Sequence, residues 1–215
     1  MKFSILTVHP ELIDSFSKVG ILEKSIQRSQ IQIEAIDLRK FADTPHFRVD
    51  EKPFGGGAGM LLKIEPIVRA LRACEVPKTK SLRILVSAKG ESFTQKLAEE
   101  FSSYDQLIFV CGRYEGVDER VSDFYVDREI RVGDAVCMGG EIPSLMMLES
   151  IARLVPGVVG NEESLEVESF SEDWQSEYPQ YTRPREFEGH KVPEVLLSGD
   201  HRKIYEWRRS KIECK

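Results

Sequence analysis

Three glycine-rich segments hold most of the residues able to do chemistry. Residues 132–143 read Val132-Gly133-Asp134-Ala135-Val136-Cys137-Met138-Gly139-Gly140-Glu141-Ile142-Pro143. Glycines among small apolar residues leave backbone N–H and C=O groups open, and such a loop can read a purine edge by main-chain hydrogen bonds. The plainer reading is an ordinary strand-to-helix connection. Gly112-Arg113-Tyr114-Glu115-Gly116 follows an apolar run. In a site loop Glu115 would accept from ligand N–H or hydroxyl groups and Tyr114 would cover an apolar edge. In a plain turn Arg113 and Glu115 would form a surface ion pair, which is worth little. Phe54-Gly55-Gly56-Gly57-Ala58-Gly59-Met60 is the densest glycine cluster. No Lys-Ser/Thr closes it as in a P-loop, and it does not fit the dinucleotide fingerprint. It reads either as a flexible turn or as bare backbone that a flat ligand or a phosphate can approach.

Two further features are weaker. Arg153 ends an otherwise apolar helix-like run, where a cation is already favoured by the helix C-terminus. Tyr181-Thr182-Arg183-Pro184 is either a rigid turn or a positioned phosphate contact.

These segments need a frame to position them. Residues 3–8, 31–38, 82–87 and 107–111 have the β-branched and aromatic composition of strands, and 124–132 reads as extended. Helical patterns occupy 10–28, 65–74, 92–101 and 143–154, three of them with proline in the first turn. This alternation predicts an α/β fold with a largely parallel sheet, whose ligands sit beyond the carboxyl ends of the strands. The three glycine segments and residues 87–90 fall in loops of that kind. After residue 160 the composition changes. Residues 161–182 hold seven acids and no Lys or Arg, and they read as an acidic mobile linker. Residues 183–215 carry nine Lys and Arg against six acids, with helical spacing from 199 onward.

The net charge of −6 would argue mildly against a nucleic-acid partner, but the average hides the basic C-terminal segment. Four scattered cysteines show no metal-ligand or disulfide spacing, which fits a reducing cytoplasm. No apolar run is long enough for a membrane helix, and the first residues read as a strand rather than a signal peptide.

Taken in order, the motifs resemble the bacterial tRNA (guanine-N1) methyltransferase family, TrmD, of the SPOUT class. They are Ile5-Leu6-Thr7 with Pro10, Val49-Asp50 before the Gly55–Met60 cluster, Cys111 to Gly116 with Asp118-Glu119-Arg120, and Gly133-Asp134. Gly139-Gly140-Glu141, Pro143, Ala152-Arg153-Leu154, Pro156-Gly157-Val158, Tyr181 to Pro184 and Val192 to Gly199 follow. Each is weak alone; their order and spacing from residue 1 to about 209 are specific.

The resemblance implies a SPOUT-type parallel sheet with a C-terminal trefoil knot across residues 1–160, the linker at 161–182, and a small, shortened helical tRNA-binding domain at 183–215. It implies a homodimer with interfacial active sites, S-adenosyl-L-methionine as methyl donor, N1 of guanosine 37 in tRNA as acceptor, and it admits Mg²⁺. The donor would be held by Val86, Ser87, Gly112, Tyr114, Glu115, Arg131, Val132, Gly133, Asp134, Ala135, Val136, Cys137, Gly139, Gly140 and Pro143. Asp50, Gly55, Gly56, Gly57, Arg183 and Ser198 would meet the RNA. Arg153 matches the catalytic arginine, and Glu168, before Ser169-Phe170, stands where the family has an aspartate base. Ala135 and Met138 replace a tyrosine and a small polar residue common in the donor loop, and Ala88 a usual proline. The competing readings are a catalytically silent RNA-binding relative, a SPOUT methyltransferase acting on another RNA, and an unrelated nucleotide-binding α/β enzyme.

Overall fold

The computed structural model describes residues 1–160 and 178–212; Glu168 and most of the acidic segment lie outside them. The chain divides into two compact units, Met1–Gly160 and Asn161–Lys215.

In the first unit, β1 (Lys2–Thr7), β2 (Gln32–Asp37), β5 (Ser81–Ser92), β6 (Gln106–Cys111) and β7 (Arg128–Arg131) form one sheet in the order β2-β1-β6-β5-β7. All its pairings are parallel. The central strand β6 is buried along its whole length, as its uninterrupted apolar run requires when helices cover both faces. Alternation along the strands feeds two cores. Phe3, Ile5, Ile84, Phe109 and Ile130 pack under α1 (Pro10–Phe16), α2 (Gly20–Gln27), α4 (Gln95–Ser102) and α6 (Glu141–Ala152). Leu6, Leu85, Ile108 and Val110 pack under α3 (Ile64–Cys74) and α5 (Glu119–Phe124). Gln106, buried between β6 and its neighbours, donates to Ser4 Oγ and the Cys74 carbonyl and accepts from Val76 N–H, so its amide is satisfied. A small hairpin, β3 (Asp50–Glu51) with β4 (Leu61–Leu62), frames the first glycine cluster.

The structure differs from the periodicity reading in two places. The single helix expected over 10–28 is two helices, separated at residues 17–19. The extended segment expected over 124–132 is shorter: Phe124 ends α5, which Asp118 caps by accepting from Arg120 N–H, and only residues 128–131 join the sheet.

The second unit contains the hairpin β8 (Glu186–Phe187) with β9 (His190–Lys191), then α7 (Glu194–Leu197) and α8 (His201–Ile212). Tyr181 lies against Trp207, ring centroids 6.3 Å apart. Among the described residues no helix is long and apolar enough to cross a membrane.

The site-bearing edge of the sheet depends on one close approach. β5 shifts register against β7 between Val86 and Glu91. A Cβ on Gly90 would stand 2.5 Å from the Glu129 carbonyl carbon and 2.6 Å from Ile130 N. Backbone atoms on both sides cannot yield. Gly90→Ala is therefore expected to lower stability by about 1–3 kcal/mol, read from the urea midpoint, as overpacking does.

Candidate active site

The irregular stretch of β5 at its register shift and the loops that leave the carboxyl ends of β6 and β7 converge on one cavity of about 460 Å³. That volume suits a nucleoside-sized ligand. Val86, Ser87, Gly112, Tyr114, Glu115, Arg131, Val132, Ala135, Val136, Cys137, Gly139 and Gly140 line it. Of the expected donor-site residues, Gly133, Asp134 and Pro143 do not. Leu61, Leu85, Ala88, Lys89, Arg113, Gly116, Val117, Glu119, Glu129 and Met138 complete the wall. Of these, Leu61, Leu85, Val117 and Glu129 had no signal of their own in the sequence.

The loops are held by a buried polar chain. Arg113 Nε donates to Glu141 Oε2 at 2.9 Å, and Thr7 Oγ1 donates to Glu141 Oε1 at 2.7 Å. Thr7 and Glu141 are both fully buried. Thr7 Oγ1 also accepts from His9 N–H, so the chain reaches the loop after β1. Arg113 is thus not the partner of Glu115 in a surface pair. It turns inward to the first residue of α6, where a carboxylate is also favoured by the helix N-terminus. Gly139 and Gly140 are explained by the same packing rather than by ligand access. A Cβ on Gly139 would strike the Arg113 side chain, and one on Gly140 would lie 2.8 Å from Cys111 Cα. Beneath them the Cys111 thiol is pushed far up by burial and by the Glu141 charge, so it stays protonated and inert.

Turning Arg113 inward leaves Tyr114 with φ of 59° and its ring exposed at the cavity mouth. A non-glycine residue in the left-handed region carries strain that recurs at binding sites. Glu115 is fixed from the other side. Its N–H donates to the Met60 carbonyl at 3.1 Å. Gly59, at φ of 77°, lies so close that a Cβ there would sit 2.5 Å from Glu115 Cγ. The first glycine cluster therefore abuts the donor loop, a contact that no local pattern reveals.

Arg131 bonds to Asp134 and to Ser92, tying the end of β7 to its own loop and to β5. Glu129 Oε2 accepts from Ser122 at 2.9 Å, while its Oε1 is buried with no hydrogen-bond partner among the described residues. A carboxylate oxygen left without a donor in a cavity wall suits a ligand that brings N–H or O–H groups. An adenosyl amino acid, with its amine, ribose hydroxyls and purine edge, meets that requirement. Among the described residues no cluster of three or more His, Cys, Asp or Glu is placed to hold a metal.

The remaining expected residues lie elsewhere. Asp50 is half-buried in β3, and Gly55 to Gly57 are exposed at the tip beyond it. Arg153 caps α6 at the end opposite Glu141, about 18 Å along the axis at 1.5 Å per residue. In the second unit Arg183 lines a separate cavity with Tyr181, Thr182, Arg185 and Leu196. Ser198 Oγ donates to the Val195 carbonyl and accepts from Asp200 N–H, closing the turn between α7 and α8.

If the buried chain holds the loops, its parts must be coupled. Glu141→Gln is expected to cost about 2–4 kcal/mol and Thr7→Val about 1–2 kcal/mol, the first figure moderated because Arg113 keeps 21% of its side chain exposed. The double variant should lose less than the sum, by denaturant titration. Strict additivity would show that the three residues do not act together.

A family profile described as "tRNA (Guanine-1)-methyltransferase TrmD" matches residues 1–215. The tRNA (guanine-N(1)-)-methyltransferase of Carboxydothermus hydrogenoformans is 50% identical over 209 residues, 97% of this chain and 81% of that protein. Its counterpart from Dictyoglomus turgidum is 48% identical over 97% of this chain and 84% of that one. The crystal structure of tRNA (m1G37) methyltransferase from Aquifex aeolicus superimposes with a TM-score of 0.82 at 40% identity, covering 99% of this chain and 90% of that one. With the whole chain matched and the strand-end loops in place, the protein belongs to the tRNA (guanine-1)-methyltransferase TrmD family.

Proposed function

We propose that this protein transfers a methyl group from S-adenosyl-L-methionine to N1 of guanosine 37 in tRNA. One observation carries the reading: in a chain that matches the family along its length, the irregular stretch of β5 and the loops after β6 and β7 converge on one nucleoside-sized cavity. When bound, S-adenosylmethionine supplies a methyl group already activated on a sulfonium. The backbone of Val132, of residues 135–140 and of Gly112 would hold its purine and ribose, with Glu115 and the free oxygen of Glu129 taking its hydrogen-bond donors.

The chain's remaining task is to make guanine N1 nucleophilic. N1 carries a proton, and a carboxylate in hydrogen-bond reach removes it, typically for a gain on the order of 10²–10⁴-fold. Glu168 is proposed for that step on its place in the sequence. Negative charge then grows on O6, and the Arg153 guanidinium would stabilise it. Asp50 and the exposed glycines would receive the base, while Arg183 and its basic neighbours would take the RNA backbone beyond the acidic linker.

Arg153 stands at the far end of α6 from its own chain's cavity, so a second copy presenting it at the cavity of the first resolves the separation. Val136, Met138, Ile142 and Met146 are exposed apolar residues along the donor loop and the outer face of α6, a strip suited to a homodimer interface. A SPOUT trefoil knot in the first unit is likewise part of the proposal. It rests on the family to which the chain belongs. The cytoplasm, where tRNA is modified, is the compartment that follows.

Purified protein should move labelled methyl from S-adenosylmethionine to an unmodified tRNA transcript with guanosine at 37, and not to one with adenosine there. Arg153→Ala should lose rate far more than donor affinity. Transfer to neither transcript, with donor and RNA still bound, would favour the silent RNA-binding reading. A second expectation concerns Cys137, which is exposed on the cavity wall while Cys111 is buried. Iodoacetamide at neutral pH should alkylate Cys137 and spare Cys111 in peptide maps, and saturating S-adenosylhomocysteine should protect Cys137. Equal labelling with and without it would place the donor elsewhere.

A further inference from the structure

Phe54 has no contact to explain it. Its side chain is fully exposed, at 102% relative accessibility the most open of the large hydrophobics. A phenyl ring left in water forgoes the stabilisation that burial would give it. The glycines that follow fall into two kinds. Gly59 is small because Glu115 presses on it. Gly55 and Gly56 adopt φ of 83° and 80°, yet nothing lies within 4 Å of where their Cβ atoms would be. Their bareness serves no internal packing; it leaves an open strip of backbone beside the exposed ring.

The loop is not adrift from the active site. Its far end is anchored on the donor-site loop: Glu115 N–H donates to the Met60 carbonyl, Leu62 N–H to the Gly116 carbonyl at 3.0 Å, and Asp118 N–H to the Leu62 carbonyl at 3.0 Å. Phe54 thus projects a few residues from the cavity wall. Lys52, exposed, places positive charge on the same loop, and Arg48, exposed and 3.8 Å from Glu51, lies just before β3. One ring is far too small for a protein interface, which buries on the order of 1,000 Å² or more. An aromatic face beside bare backbone and a lysine is the equipment for a base of single-stranded nucleic acid, since every base has a π-face.

We propose that Phe54 is a substrate-positioning residue whose ring stacks on a nucleotide base adjoining the target guanosine in the RNA loop. The stack would hold the neighbour in place while the guanine enters the cavity. The inference rests on the methyltransferase reading and adds a contact to it.

The test uses the full-length protein and two anticodon stem-loop RNAs carrying 2-aminopurine on the 5′ or the 3′ side of the target guanosine. Wild type and Phe54→Tyr should quench the fluorescence of one of them on binding; Phe54→Ala and Phe54→Leu should not. In the two non-aromatic variants KM for the unlabelled stem-loop should rise about tenfold or more, with kcat less affected and S-adenosylmethionine affinity, by calorimetry, unchanged. Unchanged quenching and KM in Phe54→Ala and Phe54→Leu would overturn the proposal. So would a change in sedimentation mass in Phe54→Ala, which would assign the ring to contact between copies. Failure of the wild type to methylate any RNA would instead count against the function itself.

Discussion

The Glu141 carboxylate is fully buried, and two side chains from two other strand ends satisfy it: Thr7 after β1 and Arg113 after β6. A charge in that position is tolerable only while both partners stay. The requirement propagates. Because Arg113 must turn inward, Tyr114 takes a left-handed backbone and faces the cavity. Because the Arg113 side chain fills the space above β6, residue 139 can carry no Cβ. Because α6 begins at Glu141, Gly140 must lie on the Cys111 backbone. The shape of the cavity is thus set largely from below, by one ion pair with a hydroxyl behind it.

This explains what could be read in the chain and what could not. The parallel sheet was legible because β1, β5 and β6 are apolar runs bounded by turn residues, and both faces of β6 are buried. The three glycine loops were legible as places where a ligand could sit. Their internal logic was not. From sequence, Arg113 and Glu115 look like partners two residues apart; the structure pairs Arg113 with a residue 28 positions on. The glycines at 139 and 140 look like open backbone and are in fact filled space. Residues 124–132 read as extended, yet Phe124 closes a helix that the Asp118 cap begins, and the strand proper is only 128–131. The adjacency of Gly59 to Glu115 is a tertiary contact with no local trace.

The family resemblance supplied roles that physical reading alone did not, above all for Arg153 and Glu168. Arg153 shows the limit clearly. As a cation at a helix C-terminus it needs no functional account, and within one chain it lies far from the cavity that its proposed chemistry serves. The exposed apolar strip of Val136, Met138, Ile142 and Met146 gives that distance a meaning, since a second copy docked on it would complete the site.

The helix α6 also acts as a ruler. It begins on the residue that anchors the donor loops and ends on the arginine proposed for the acceptor, with one residue per 1.5 Å and about 100° of turn between. Inserting or deleting a single residue would leave a stable helix but swing Arg153 round to another face. If Arg153 acts on the acceptor as proposed, the twelve residues of this helix set both the reach and the direction of the group that follows it.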